Sequence, residues 1–179
     1  MSRTNPHKKK RRSAKRTLLM YGEGLGEEMF LKYLRSLYSY NSGVSVTIRN
    51  GKGGNPRSII INAVNEPGDF ERRIVILDND KGKQEMKQAR DEAKMSGVEI
   101  LENSPCLEAT LLAILRPKQD FSTKESAWCK REFESNYMDK KKRTGLEEYN
   151  EVFSKQILDH QKNTIPELKT LINLMQGIK

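Results

Sequence analysis

Cysteine is scarce: Cys106 and Cys129 are the two in 179 residues. Two thiols cannot form the disulfide framework of a small secreted protein, and neither has the spacing of a zinc site, so the usage suits a reducing cytoplasm. Histidine is equally sparse. His7 lies in a basic segment and His160 near the C-terminal end, so no histidine pair is spaced for a metal and none sits beside Cys106 to activate it as a nucleophile. Cys106 therefore reads as a small buried residue. No apolar run approaches the roughly 20 residues that span a bilayer. Leu18-Leu19-Met20-Tyr21, behind the basic start, is too short for a signal-peptide core, so no membrane partner is expected. Phosphate loops are missing too. Gly22-x-Gly24-x-Gly26 lacks the dinucleotide spacing, no Gly-Lys-Ser/Thr ending follows, and Glu23 would repel a bare phosphate. The chain has no internal repeat.

What is present is charge, unevenly spread. The chain carries 33 Lys+Arg against 24 Asp+Glu, a formal net charge of +9. Eight of the bases and none of the acids fall in residues 1–16, which leaves 25 bases against 24 acids in the remainder. The excess is a tail on a nearly neutral body. With no apolar content, residues 1–16 read as a disordered arm. Lys8, Lys9, Lys10, Arg11, Arg12, Lys15 and Arg16 make it a candidate contact for DNA or RNA backbones, giving salt-sensitive affinity without sequence preference. The plainer reading is a solubilising terminus.

Beyond the arm, apolar runs alternate with helical periodicity. Residues 17–21, 44–48, 73–77 and 98–101 read as strands, because they are short, apolar or β-branched and end at glycine or turn residues. Between them, residues 27–38, 58–64, 83–95 and 107–115 read as helices. This order predicts an α/β fold with a roughly four-stranded, mostly parallel sheet flanked by helices over residues 17–116. Residues 117–179 show no convincing strand. They contain the basic run Asp139-Lys140-Lys141-Lys142-Arg143 and read as a helical appendage. In its last helix Leu168, Leu171, Ile172 and Met175 share one face, which suits a homo-oligomer as easily as a core. Trp128 reads as a core anchor of this part, with base stacking as the alternative.

Ligand sites in open α/β sheets lie at the carboxyl ends of the strands. Here the first strand runs into Glu23 and the third into Asp78-Asn79-Asp80. Alternate residues on an extended chain point the same way, so Asp78 and Asp80 can face one point. Neighbouring strands would bring Glu23 to them. Such a cluster repels itself unless protonated or neutralised, and oxygen ligands without His or Cys favour Mg²⁺ or Mn²⁺. Asp-x-Asp also serves as a turn or helix cap. Lys52, in the loop Gly51-Lys52-Gly53-Gly54, is a candidate phosphate contact or a solvated side chain.

An apolar strand, Glu-Gly and a helix, followed later by an apolar strand and Asp-x-Asp, resembles the Toprim domain. The fuller match resembles the RloB-like family. It has a basic arm, Glu23-Gly24-Leu25-Gly26-Glu27-Glu28 for a Glu-Gly-x-x-Thr-Glu segment, Asp78-Asn79-Asp80, and Ser104-Pro105-Cys106-Leu107-Glu108-Ala109-Thr110 for an Asn-Pro-Cys-Phe-Glu-Leu-Trp-type segment. Glu27 replaces the usual threonine, and Ala109-Thr110 replace Leu-Trp. The resemblance implies a Toprim-like fold and a metal-dependent, OLD-type nuclease. Glu23 would be ligand or general base, and Asp78 and Asp80 metal ligands. Glu28 or Glu27 would serve a second ion. Glu108 would be a ligand lining the crevice, or else a helix-start acid. It also implies anti-phage defence, with an ATPase or other defence protein as partner. Two rival functions remain. One is a non-catalytic nucleic-acid-binding adaptor. The other is a phosphatase of haloacid dehalogenase type, since Ile76 to Asp80 also resembles its nucleophile strand, although Lys81-Gly82 depart from its pattern.

Overall fold

The computed structural model describes residues 16–178. Four strands, β1 (Arg16–Gly22), β2 (Val44–Asn50), β3 (Arg72–Asp78) and β4 (Glu99–Asn103), form one parallel sheet in the order β2-β1-β3-β4. Helices α1 (Leu25–Tyr38), α2 (Pro56–Asn65) and α3 (Lys83–Ser96) connect them, and α4 (Leu107–Leu115) follows β4. Residues after Leu115 form α5 (Ser126–Asn136), a 3₁₀ turn (Lys140–Lys142), α6 (Leu146–Val152), α7 (Lys155–Gln161) and α8 (Pro166–Gln176).

β1 and β3 are central and buried on both faces, which is why they read as near-continuous apolar runs. The period of two divides their side chains between two cores. Leu19, Tyr21, Val75 and Leu77 pack under α2 and α3 with Ile59, Ile60, Met86 and Ala89. Leu18, Met20, Ile74 and Ile76 pack on the other side. That second core holds α1 and α4 and also Phe133, Tyr149, Phe153, Leu158 and Leu171 of the C-terminal helices. Residues 117–178 thus share the core of the sheet. The apolar face of α8 is spent there, since Leu168, Leu171, Ile172 and Met175 are all buried within the chain. Phe30, Phe133, Tyr149 and Phe153 form an aromatic cluster with ring centroids 5.8 to 6.3 Å apart.

Arg16 departs from the arm assigned to residues 1–16. It is the first residue of β1, paired with Val44, and its Nη1 donates to the Gly177 carbonyl at 3.1 Å. It sits at the amino edge of the sheet because β1 needs a full-length partner for β2. Lys8, Lys9, Lys10, Arg11, Arg12, Lys15 and His7 lie outside the described residues. Among the described residues no helix is long and apolar enough to cross a membrane.

Candidate metal centre

The alternation that builds the sheet aims Asp78. Ile74 and Ile76 point to the thicker core, so Asp78, two residues on, points to the same side at the carboxyl end of β3. There α4 begins, and the free Leu107 N–H of its first turn donates to Asp78 Oδ1 at 2.9 Å. Glu23 follows β1 directly. Its N–H donates to the Ile76 carbonyl at 3.1 Å, and its Oε2 accepts the Asp78 N–H at 3.1 Å. Parallel pairing of β1 with β3 therefore ties the two acids together. Glu27 lies in the first turn of α1, where its Oε2 accepts the Gly24 N–H at 2.9 Å and caps the helix. This helix start packs hard on β1. A Cβ at Gly22 would come within 2.7 Å of the Glu27 Cβ, so only glycine lets the acid approach. Glu108 lies in the first turn of α4.

Glu23, Glu27, Asp78 and Glu108 line one cavity of about 320 Å³ at the carboxyl edge, together with Gly24, Gly26 and Gly53. Two cations complete it. Lys130 of α5 has its Nζ 3.4 Å from both Asp78 Oδ2 and Asp80 Oδ2. Arg143, after the 3₁₀ turn, donates from Nη1 to Glu108 Oε1 at 2.6 Å, with its guanidinium stacked 4.9 Å from the Phe133 ring centroid. Among the described residues its Nε and Nη2 find no hydrogen-bond partner, and Glu134 Oε1 lies 3.6 Å from Nη2.

The carboxylates crowd each other, with Glu27, Asp78 and Glu108 largely buried. Burial, then the charge of Glu27, pushes the Asp78 carboxyl up to about 8, against the pull of Lys130. Burial also raises Glu27, helped by Glu108 and Glu23. For Lys130, burial opposes the charge, but Asp78, Glu108 and Asp80 together hold the ammonium above its usual range. Asp78, Cys106 and Glu108 each offer a ligand atom, all within 4.8 Å of one another, a cluster that could hold a metal ion. Burial pushes the Cys106 thiol up to about 12, much further above neutral pH than the Asp78 carboxyl, so the thiol is the weaker ligand and the carboxylates are the better donors.

Other residues singled out from the sequence fall elsewhere. Asp80 lies past the end of β3, outside the cavity lining, where its Oδ2 accepts from Ser126 Oγ at 2.8 Å. The convergence of Asp78 and Asp80 does occur, with the Lys130 ammonium at the meeting point. Glu28 is one residue, about 100° of helix, from Glu27. It pairs with Lys32 at 2.7 Å and accepts from Asn50 Nδ2 at 2.9 Å, away from the cavity. Lys52 sits at φ 59° with its N–H on Asn50 Oδ1, its side chain exposed and outside the lining. Trp128 is half-buried and stacks on Phe121, with centroids 6.2 Å apart. His160 is exposed on α7. Sequence reading missed Lys130 and Arg143. The one available signal was the spacing of Ser126 and Lys130, four residues apart on α5, which puts both on one helix face.

Comparison with protein-family models, with curated proteins and with solved structures finds no match to the chain.

Proposed function

We propose that the protein is a divalent-metal-dependent nuclease of Toprim type, hydrolysing DNA or RNA phosphodiesters with Mg²⁺ or Mn²⁺. The observation that carries the reading is the convergence of Glu23, Glu27, Asp78 and Glu108 on one cavity at the carboxyl edge of a parallel sheet. The donor set fits a hard cation. It is rich in carboxylate, lacks histidine, and its thiol stays protonated. Burial first, and the neighbouring carboxylates second, raise Asp78 and Glu27, and a divalent ion would offset that repulsion. Bound there, a divalent ion supplies a more acidic water and positive charge beside a phosphodiester.

The chain's own groups have separable tasks. Leu107 N–H and Lys130 hold Asp78 in place. The Asp78 N–H holds one Glu23 oxygen, so the carboxylate is fixed at the cavity as ligand or as base for the attacking water. Arg143 fixes one Glu108 oxygen. The bases of residues 1–15 would attract the nucleic acid. The RloB-like resemblance adds a cytoplasmic, anti-phage setting with an ATPase or other defence protein.

One observation favours a second reading, a non-catalytic nucleic-acid-binding adaptor: Lys130 and Arg143 already pair with Asp78 and Glu108. A cleavage assay separates the two. Purified protein meets labelled single- and double-stranded DNA and RNA with Mg²⁺, Mn²⁺ or EDTA, beside Glu23→Ala and Asp78→Ala. Metal-dependent cleavage lost in both variants is expected. Binding without cleavage under every condition supports the adaptor.

A further inference from the structure

The two cations of the cavity are held in opposite ways. Arg143 is locked. Its side chain is 10% exposed, it makes a 2.6 Å bond to Glu108, and it is stacked on Phe133. Lys130 is loose. Its side chain is 41% exposed, and its contacts with Asp78 and Asp80 are both 3.4 Å, long for a charge-assisted bond. Yet its ammonium stands against the Asp78 carboxylate at the end of β3, inside the cavity lining, where a divalent ion would carry the same positive charge. A lysine has a flexible stem and a compact head, so it can leave for water at little cost. Asp80, outside the cavity lining, would keep Ser126 Oγ at 2.8 Å and Lys81 Nζ at 3.8 Å.

We infer that Lys130 is the resident counter-ion of the metal centre, competing with the divalent ion for Asp78 and swinging out to solvent when the ion enters. This rests on the metal-dependent reading proposed above. Lys130 then sets the ion concentration at which the site fills. In the apo protein Lys130 offsets part of the repulsion that an empty carboxylate cluster would carry. The charge of α5 thereby regulates the site without belonging to its ligand set.

The test is Mn²⁺ binding, followed by the loss of the free-ion electron paramagnetic resonance signal, in the full chain and two variants. Lys130→Met removes the competitor and should bind Mn²⁺ about ten-fold more tightly, the size of one displaced charge pair. Lys81→Met is the control. Its Nζ lies 3.8 Å from Asp80 Oδ1, a comparable charge that forms no pair with Asp78, and its loss should change affinity by less than about three-fold. Equal effects of the two variants would show general electrostatics and overturn the inference, as would unchanged affinity in Lys130→Met. A second readout uses the unmodified protein. Acetic anhydride labelling of Lys130, read by peptide mass spectrometry, should rise several-fold when Mn²⁺ is added, while labelling of Lys32 stays level. Constant Lys130 labelling at saturating Mn²⁺ overturns the inference even if Lys130→Met fails to fold. If neither the parent chain nor Lys130→Met binds Mn²⁺, the metal reading itself falls. Mn²⁺ binding with no lysine effect sinks only the inference drawn here.

Discussion

The two faces of the sheet differ in thickness and in what they contribute. The α2–α3 face is one helix layer deep, with a small aliphatic core of residues such as Leu19, Ile59, Val75 and Met86. The α1–α4 face carries a second layer, α5 to α8, with an aromatic core around Phe30, Phe133, Tyr149 and Phe153. Every charged side chain of the cavity that comes from a helix or helix connection belongs to the thick face: Glu27 on α1, Glu108 on α4, Lys130 on α5 and Arg143 beyond it. The thin face gives none. The extra layer is therefore the wall of the site, and the lesson is that stability and chemistry are stacked on the same side. A substitution in the aromatic core should be felt at the carboxylates, whereas one under α2 should not.

The sharpest way to break that comparison is Phe133→Ala. The ring is fully buried and carries the Arg143 guanidinium, so its loss should cost about 3–5 kcal/mol of unfolding free energy. Denaturant unfolding measures the cost. A loss below about 1 kcal/mol would mean that the C-terminal layer is not part of the core.

Next in size is a pH effect confined to the thick face. Asp78 is raised to about 8 in the fold, so between the ordinary carboxyl range and about 8 the folded chain holds a proton that the unfolded chain has released. In EDTA this contribution is fully present below about 4 and is lost as pH rises through about 8, a change on the order of a few kcal/mol. Asp78→Asn removes the titration. Its stability relative to the parent chain should therefore improve steadily from pH 5 to pH 8.5 in thermal melts. A constant difference across that range would show that Asp78 is ionised throughout.

The smallest effect belongs to the thin face. Ile59→Val removes one methylene from a buried aliphatic site and should cost about 0.5–1.5 kcal/mol. Cleavage per folded molecule should be unchanged. Reduced cleavage in this variant would couple the thin face to the site.

Much of this arrangement was legible in the sequence. β1 and β3 announce themselves because they are buried on both faces and so lack polar interruption, and β2 because its β-branched residues alternate with polar ones. Asp78 was legible because a period of two carries it to the side of Ile74 and Ile76, and Glu23 because it ends the neighbouring strand. Glu108 was legible as the acid of a helix first turn after Ser104-Pro105. Asp80 and Lys52 lie where the chain has left its strands, and alternation stops guiding side chains there. Glu28 lost to Glu27 because one helical step turns a side chain away from the sheet edge. Arg143 left no pattern and Lys130 only its spacing of four from Ser126, since their positions depend on how distant helices dock. In the sequence Arg143 is only the end of a basic run, yet it is 8% exposed and paired with Glu108. Local periodicity reports which face of an element is buried, not which neighbour buries it.

The most direct test of the central claim is Mn²⁺ binding at pH 8 by the parent chain and by Asp78→Asn, each checked for native circular dichroism. The claim that Glu23, Glu27, Asp78 and Glu108 form a hard-cation site predicts saturable binding that falls at least about ten-fold in Asp78→Asn. Folded Asp78→Asn that binds Mn²⁺ as the parent does, or a parent chain that binds none even at millimolar ion, would contradict it.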